Sequence, residues 1–265
     1  MLQFANAKIN IGLHITGKRP DGYHDLESIF YPVKIYDGIE ILPSQALSMQ
    51  VYNHAFPVGE DNLCTKAYRL LAADHDLPPV QIHLLKGIPV GAGLGGGSAD
   101  ASRALIMLNQ QYKLDLTQQQ LESYASQLGA DCPFFIRNKP VYATGIGTTF
   151  EEIAIDLSAY HIVVVKPPIH ISTAEAYQNV SIRTAQVDLR EAIQLPVQEW
   201  KYHIKNDFEE GLFRHHSEIQ ELKSALYDSG CLYASMSGSG SAVYGLFDSA
   251  PDLRKLQSFG TVFLG

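Results

Sequence analysis

The sequence predicts a mixed α/β chain, and three observations carry that prediction. Segments rich in Ile, Val, Phe and Tyr alternate with segments of helical periodicity along the 265 residues. The two longest strand-like stretches, 2–15 and 27–42, come before any helical pattern. A glycine run, Gly91 to Gly97, separates a strand pattern from the strongest helical pattern in the chain.

Each element follows from local chemistry. Residues 2–15 and 27–42 alternate partially, as half-buried strands do. Between them Pro20-Asp21-Gly22 is turn chemistry, because proline presets φ and glycine accepts the left-handed region. Residues 47–53 read as a third strand. Asp61-Asn62 precede a helix with Leu63, Ala67, Leu70 and Leu71 at helical spacing. Val80 to Leu85 alternate like a strand. Residues 99–112 read as a helix with Ala101, Leu105, Leu108 and Tyr112 along one face. Thr117 is placed to cap a further helix through Leu128, and Gly129 to end it. Two strands are expected after Asp131, and another from His161 to Val165, closed by Pro167-Pro168. A short helix is expected at 173–180 and a longer one at 208–229. Residues 231–247 read as strand, glycine loop, strand, and a short helix and a strand follow. Residues 184–206, which include Pro196, carry no clear pattern. A boundary near 150–160 divides the chain into expected domains 1–155 and 156–265.

Composition narrows the class. Hydrophobic residues make up 46% and charged residues 18%, an ordinary globular balance. The formal net charge of -8 argues against general nucleic-acid binding, which needs clustered positive charge. The three cysteines, Cys64, Cys132 and Cys231, form no C-x-x-C pair, and reduced thiols in a cytoplasmic protein are the simplest expectation. The N-terminal residues show no signal-peptide pattern, and no apolar run is long enough to span a bilayer. No membrane, nucleic-acid or obligate protein partner is expected.

Three segments resemble phosphate-binding motifs, and two fail on context. Gly12-Leu13-His14-Ile15-Thr16-Gly17-Lys18 has P-loop spacing, but Arg19 stands where a magnesium-binding hydroxyl is needed, and a turn follows instead of a helix. Gly91-Ala92-Gly93-Leu94-Gly95-Gly96 has dinucleotide-fold spacing, but Pro89 interrupts the entry and two helices follow. What remains is a loop of five glycines in seven residues, with Ser98 at the start of a helix. Without Cβ atoms, backbone N–H groups can converge on an anion, and the helix N-terminus adds its dipole. A flexible loop capped by Ser98 is the structural alternative. The cost of ordering so many glycines, roughly 0.5–1 kcal/mol each relative to alanine, makes that alternative unattractive.

Pro89-Val90-Gly91-Ala92-Gly93-Leu94-Gly95-Gly96-Gly97-Ser98 resembles the central phosphate motif of the GHMP kinases. Ala7-Lys8-Ile9-Asn10-Ile11 and Met236-Ser237-Gly238-Ser239-Gly240-Ser241 resemble the first and third motifs of that superfamily, in the same order. Four details are similar to one member family, the 4-diphosphocytidyl-2-C-methyl-D-erythritol kinases. They are Thr16-Gly17-Lys18-Arg19-Pro20-Asp21-Gly22-Tyr23-His24, the triple glycine before Ser98, Leu128-Gly129-Ala130-Asp131-Cys132-Pro133-Phe134-Phe135, and Ile171-Ser172-Thr173-Ala174-Glu175-Ala176-Tyr177.

The resemblance implies an α/β (α+β) architecture. The N-terminal domain would be ribosomal-protein-S5-like and the C-terminal domain ferredoxin-like, with the active site in the cleft. It implies ATP as co-substrate, Mg2+, and a cytidine diphosphate-linked methylerythritol whose 2-hydroxyl is phosphorylated in non-mevalonate isoprenoid synthesis. It assigns catalysis to Asp131 as base and Lys8 as cationic partner. ATP binding falls to Asn62 and to the Pro89–Ser98 segment: Pro89, Val90, Gly91, Ala92, Gly93, Leu94, Gly95, Gly96, Gly97 and Ser98. Substrate binding falls to Asn10, Tyr23, His24, Thr173 and Tyr177, with Tyr23 and Tyr177 stacking on cytosine and His24 at its polar edge. Gly238, Ser239 and Gly240 would shape the cleft wall.

Each role has a structural alternative. Asp131 and Asn62 are also placed as helix caps, Lys8 as a surface lysine on an edge strand, and Tyr23 and His24 as turn residues packing on the domain. Thr173 is placed to cap a helix beginning at Ala174, and Gly238 to Ser241 form a turn. The family usually has a second serine after Ser98, where this chain has Ala99. Asp100 is close enough to face a metal or to cap the helix. The metal ligands stay unassigned, and His215-His216 read as surface residues. Another GHMP kinase, of homoserine or mevalonate type, and a non-catalytic nucleotide-binding regulator are the competing readings.

Overall fold

The computed structural model describes residues 1–53, 62–180 and 187–265. Asp61, read above as part of a helix start, and residues 184–186 lie outside the described residues. In chain order the elements are β1 (Leu2–Lys18), β2 (His24–Pro43), β3 (Ser48–Tyr52), α1 (Leu63–Asp74), β4 (Val80–Leu85), α2 (Gly96–Tyr112), α3 (Gln118–Leu128) and α4 (Cys132–Arg137). They continue with β5 (Val141–Thr144), β6 (Thr149–Glu152), β7 (His161–Lys166), α5 (Thr173–Gln178), α6 (Leu189–Ala192), α7 (Val197–His203), α8 (Phe208–Phe213) and α9 (Ser217–Asp228). The last are β8 (Tyr233–Met236), β9 (Val243–Phe247), a 3-10 turn at Leu256–Ser258 and β10 (Thr261–Leu264).

Cα packing groups the chain into two units that are discontinuous in sequence. One holds Met1–Ala7, Ile35–Val90 and Gly95–Lys139, and the other Lys8–Lys34, Gly91–Leu94 and Pro140–Gly265. In the first unit Gly38–Pro43 of β2 pairs antiparallel with β4, and β3 pairs parallel with β4. The burial of β4 alternates as its sequence does. Helices α1 and α2 pack together, and α4 packs on both α2 and α3. Helix α3 starts with a reciprocal cap: the Thr117 hydroxyl accepts from the Gln120 N–H, and the Gln120 side chain accepts from the Thr117 N–H.

In the second unit Ser28–Phe30 of β2 pairs antiparallel with β5, and β5 with β6. A separate four-stranded antiparallel sheet has the order β10-β7-β9-β8. Its core joins Val163, Val165, Met236 and Val243 to Phe208, Leu212, Ile219, Leu222 and Leu226 from α8 and α9. This is the ferredoxin-like sheet expected of the C-terminal part.

Four local expectations are corrected. A short helix, α4, follows Asp131 directly, and the two strands come only after it. Pro133 sits in its first turn, where its missing N–H costs nothing. The helix expected at 208–229 is two helices, broken at Arg214–His216. Gly129 ends α3 with φ 172, an extended conformation open to any residue, so no left-handed glycine cap is used. Helix α5 is capped by Ser172, whose hydroxyl accepts from the Glu175 N–H at 3.1 Å, and not by Thr173, which is exposed.

Candidate active site

In the second unit residues from all three kinase-like motifs meet at one hydroxyl. Ser237 Oγ donates to the Gly93 carbonyl at 2.8 Å and accepts from the Asn10 N–H at 3.3 Å. Two backbone bonds reinforce the junction, from the Lys8 N–H to the Leu94 carbonyl at 3.0 Å and from the Ala242 N–H to the Ala92 carbonyl at 3.2 Å. Gly93 has φ 75, and a Cβ there would lie 1.9 Å from the Ser237 carbonyl oxygen, so only glycine fits. Gly238, Ser239 and Gly240 form the turn between β8 and β9, and the Asn206 amide holds that turn by donating to the Met236 and Gly238 carbonyls at 2.9 and 2.8 Å.

Lys8 is buried, 4% exposed, which removes the surface-lysine reading. Its ammonium lies 4.7 Å from the centroid of the Phe30 ring and donates to Asn10 Oδ1 at 2.5 Å. Asn10 Nδ2 donates to Ser28 Oγ at 2.9 Å, and that hydroxyl donates to the Gly12 carbonyl at 2.6 Å. This chain fixes which end of the amide faces Lys8. Asn10, read from the sequence as a substrate residue, thus also orients the lysine.

The same unit carries Tyr23, His24, Thr173 and Tyr177. Tyr23 is 62% exposed on the turn, its backbone N–H held by Asp21. The His24 ring stacks on Tyr177, with centroids 4.7 Å apart and planes 22° apart, and Phe208 meets Tyr177 edge-on at 4.9 Å. One face of Tyr177 is therefore covered by His24, where the sequence reading placed cytosine on that tyrosine.

The first unit carries Asn62, Pro89, Val90, Gly95, Gly96, Gly97, Ser98 and Asp131. Asn62 caps α1, its Oδ1 accepting from the Cys64 N–H at 2.8 Å. Helix α2 begins at Gly96 inside the glycine run, three residues before the expected start, and no side chain caps it. Gly95, with φ 73, turns the chain into it. The Ser98 hydroxyl faces the Cys132 thiol, and Ser102 Oγ ties the carbonyls of Ser98 and Cys132 together at 2.8 and 2.7 Å. The start of α2 is thereby fastened to the residue after Asp131. Asp131 is half-buried at the start of α4 and makes no capping bond, so that role does not use its carboxylate. Ala99 is buried.

Asp100 neither caps α2 nor forms part of a metal cluster. It is buried and pairs with Lys86 at 2.8 Å, and Lys86 also pairs with buried Asp37. The sequence reading missed Asp37 and Lys86, as well as Ser28 and Asn206, and carried Ser237 only as part of the third motif without a role of its own. Among the described residues no group of three His, Cys, Asp or Glu could hold a metal ion. No helix among them is long and apolar enough to cross a membrane.

All three cysteines are buried. Burial is the largest cause in each case, pushing the Cys132 thiol up to about 11, that of Cys231 up to about 12, and that of Cys64 upward as well. A thiol with a raised pKa stays protonated and unreactive below it. Iodoacetamide at pH 8 is expected to leave the native protein unlabelled by mass spectrometry and to add three groups in denaturant. Rapid native labelling of Cys132 would contradict the packing around Ser98.

Comparison with known proteins gives the family. The GHMP kinases N terminal domain family matches residues 62–139, and the GHMP kinases C terminal family matches residues 190–260. The 4-diphosphocytidyl-2-C-methyl-D-erythritol kinase of Bacteroides thetaiotaomicron is 50% identical over 253 residues, covering 94% of this chain and 92% of its own. The enzyme of the same name from Parabacteroides distasonis is 47% identical, covering 100% and 98%. A crystal structure of 4-(cytidine 5'-diphospho)-2C-methyl-D-erythritol kinase superposes with a TM-score of 0.86 at 30% identity, covering 100% of this chain and 98% of that one. With its α/β fold and its glycine motifs, the chain belongs to the 4-diphosphocytidyl-2-C-methyl-D-erythritol kinase family of ATP-dependent GHMP kinases.

Proposed function

We propose that the chain transfers the γ-phosphoryl group of ATP to the 2-hydroxyl of 4-diphosphocytidyl-2-C-methyl-D-erythritol, giving the 2-phosphate and ADP in the non-mevalonate isoprenoid pathway. The observation that carries the substrate is identity of 46 to 50% with relatives of that name over nearly the whole chain. Phosphoryl transfer needs a group at the attacking hydroxyl, a cation for the developing charge, and donors around the phosphates. Asp131 accepts the hydroxyl proton. Lys8, fixed by Asn10, offsets charge on the transferring group. The uncapped amides at the start of α2, with the Gly91–Gly95 backbone, receive the phosphates. Asn62 contributes at the adenine, and Tyr23, His24, Thr173 and Tyr177 at the cytidine diphosphate end.

Mg2+ is proposed as the companion of ATP. When bound with ATP it would offset the negative charge of the phosphates during transfer. The division at 155 is kept as a proposal, since the two family matches fall on either side of it. The cytoplasm is proposed as the compartment, where ATP is available and buried thiols stay reduced.

The test is ADP release from Mg-ATP with the cytidine compound, homoserine, mevalonate and galactose. Turnover with the cytidine compound alone is expected. Turnover with another alcohol would keep the kinase and discard the substrate, and nucleotide binding without turnover would favour a regulator. Tyr23→Ala is expected to raise KM for the cytidine compound roughly tenfold with a smaller change in kcat, given about 1–3 kcal/mol for a stacked base. An unchanged KM would remove Tyr23 from the binding site.

A further inference from the structure

The buried triad Asp37–Lys86–Asp100 is used by none of the roles above, yet it brackets the glycine-rich segment. Asp37, at 0% exposure in β2, accepts three donors. Its Oδ1 takes the N–H groups of Gly87 and Ile88 at 2.6 and 2.8 Å, and its Oδ2 takes the Lys86 ammonium. The ammonium also donates to Asp100 Oδ2 at 2.8 Å, about one turn into α2. The ammonium lies against the first turn of that helix. A Cβ at Gly96 would come within 3.4 Å of Lys86 Nζ and 2.9 Å of Ile88 Cγ2. All these groups belong to the first unit.

The arrangement is costly to build. Burying three ionisable side chains is unfavourable unless they find partners, and in some proteins such clusters fix registry rather than add stability. Here the registry fixed is that of the chain leaving β4 relative to the chain entering α2. A segment so rich in glycine loses much conformational freedom when it orders around a ligand. Clamping its approaches beforehand lowers that cost at the moment of binding.

We infer that Asp37, Lys86 and Asp100 are positioning residues for the ATP phosphate loop, holding its entry at Gly87-Ile88 and its exit in α2 in the nucleotide-binding arrangement before ATP arrives. The inference rests on the reading of Gly91–Ser98 as the ATP loop. It separates these three residues from the scaffold at large, because loosening them weakens nucleotide binding specifically.

The experiment measures the Kd of a fluorescent ATP analogue by titration, and KM for ATP and for the cytidine compound, in the parent, Lys86→Met and Asp37→Asn, with folding checked by circular dichroism. Lys86→Met is expected to raise the nucleotide Kd and KM for ATP at least tenfold, and Asp37→Asn at least fivefold, with KM for the alcohol changing less than twofold. A merely structural role would lower the amount of active enzyme and the Tm while leaving both KM values in place. If Lys86→Met, with two carboxylates left facing each other, does not fold, Asp37→Asn decides. Folded variants that bind nucleotide within twofold of the parent, or a parallel rise in both KM values, overturn the inference. A parent that binds no nucleotide would instead overturn the ATP-loop reading beneath it.

Discussion

Replacement of Asp131 by alanine is expected to lower kcat about 100- to 10,000-fold, the range spanned by general-base catalysis, while the Kd for ATP stays within about threefold. The carboxylate stands at the start of α4 without making a capping bond, so the variant loses no cap. The neighbouring contacts that hold this corner run through Cys132, Ser98 and Ser102, and alanine leaves them in place. Single-turnover rates with pre-bound Mg-ATP, read beside equilibrium nucleotide titration, separate the chemical step from binding. Near-normal single-turnover rates would remove Asp131 from the role of base and return the search to other groups of the first unit.

The second large effect is expected at Gly93. Alanine there faces two penalties at once. The left-handed φ of 75 costs an ordinary residue about 1–2 kcal/mol, and the added methyl would sit 1.9 Å from the Ser237 carbonyl oxygen. Backbone on both sides must shift, so the Ser237 bonds to Gly93 and Asn10 are strained together. Gly93→Ala is expected to destabilise by about 2–4 kcal/mol, a Tm lower by roughly 5–15 °C, and to abolish most turnover even in the folded fraction. Gly97→Ala is the control, because a Cβ there meets only the Leu63 side chain at 3.8 Å. Equal effects at the two positions, by thermal melts and active-site titration, would show that loop flexibility matters and the close approach to Ser237 does not.

What could be read from the sequence was what local chemistry decides. The Thr117–Gln120 cap, the alternation of Val80 to Leu85 and the glycine loop between two strands at 233–247 each depend on residues within a few positions of one another. The misreadings share one cause. Pro133-Phe134-Phe135-Ile136 is an apolar run with strand-like residues, and its helical state is set by packing on α2 and α3. Likewise Lys86 follows a strand and precedes a glycine, which reads as a solvated exit, and only Asp37 and Asp100, 49 and 14 positions away, reveal it as buried. Ser28 was invisible for the same reason, and Ser237, though inside the third motif, gave no sign of its bond to Gly93, since a serine's neighbours in sequence do not say which distant carbonyl it will reach. The roles proposed for Lys8 and Asn10 came from resemblance, which carries long-range information that periodicity lacks, whereas the run from Gly91 to Ser98 stood out by its glycines alone.

The anchoring of β1 has a consequence for how the protein is made. Leu13 exchanges backbone bonds with Lys205 and Asp207, the Ile15 N–H is taken by Asp207, and the Asn10 N–H waits for Ser237. A ribosome delivers residue 10 roughly 200 residues before it delivers residues 205–237. The first strand therefore emerges with β2, its neighbour in the sheet, but long before these other partners exist, and its stretch from Ala5 to Ile15, buried in the finished protein, stays partly uncovered in that interval. A unit whose first strand pairs only with its near neighbours can fold as it emerges, but this one closes only once residues 205–237 have been made, with the nascent strand exposed to chaperones and to other chains in the meantime.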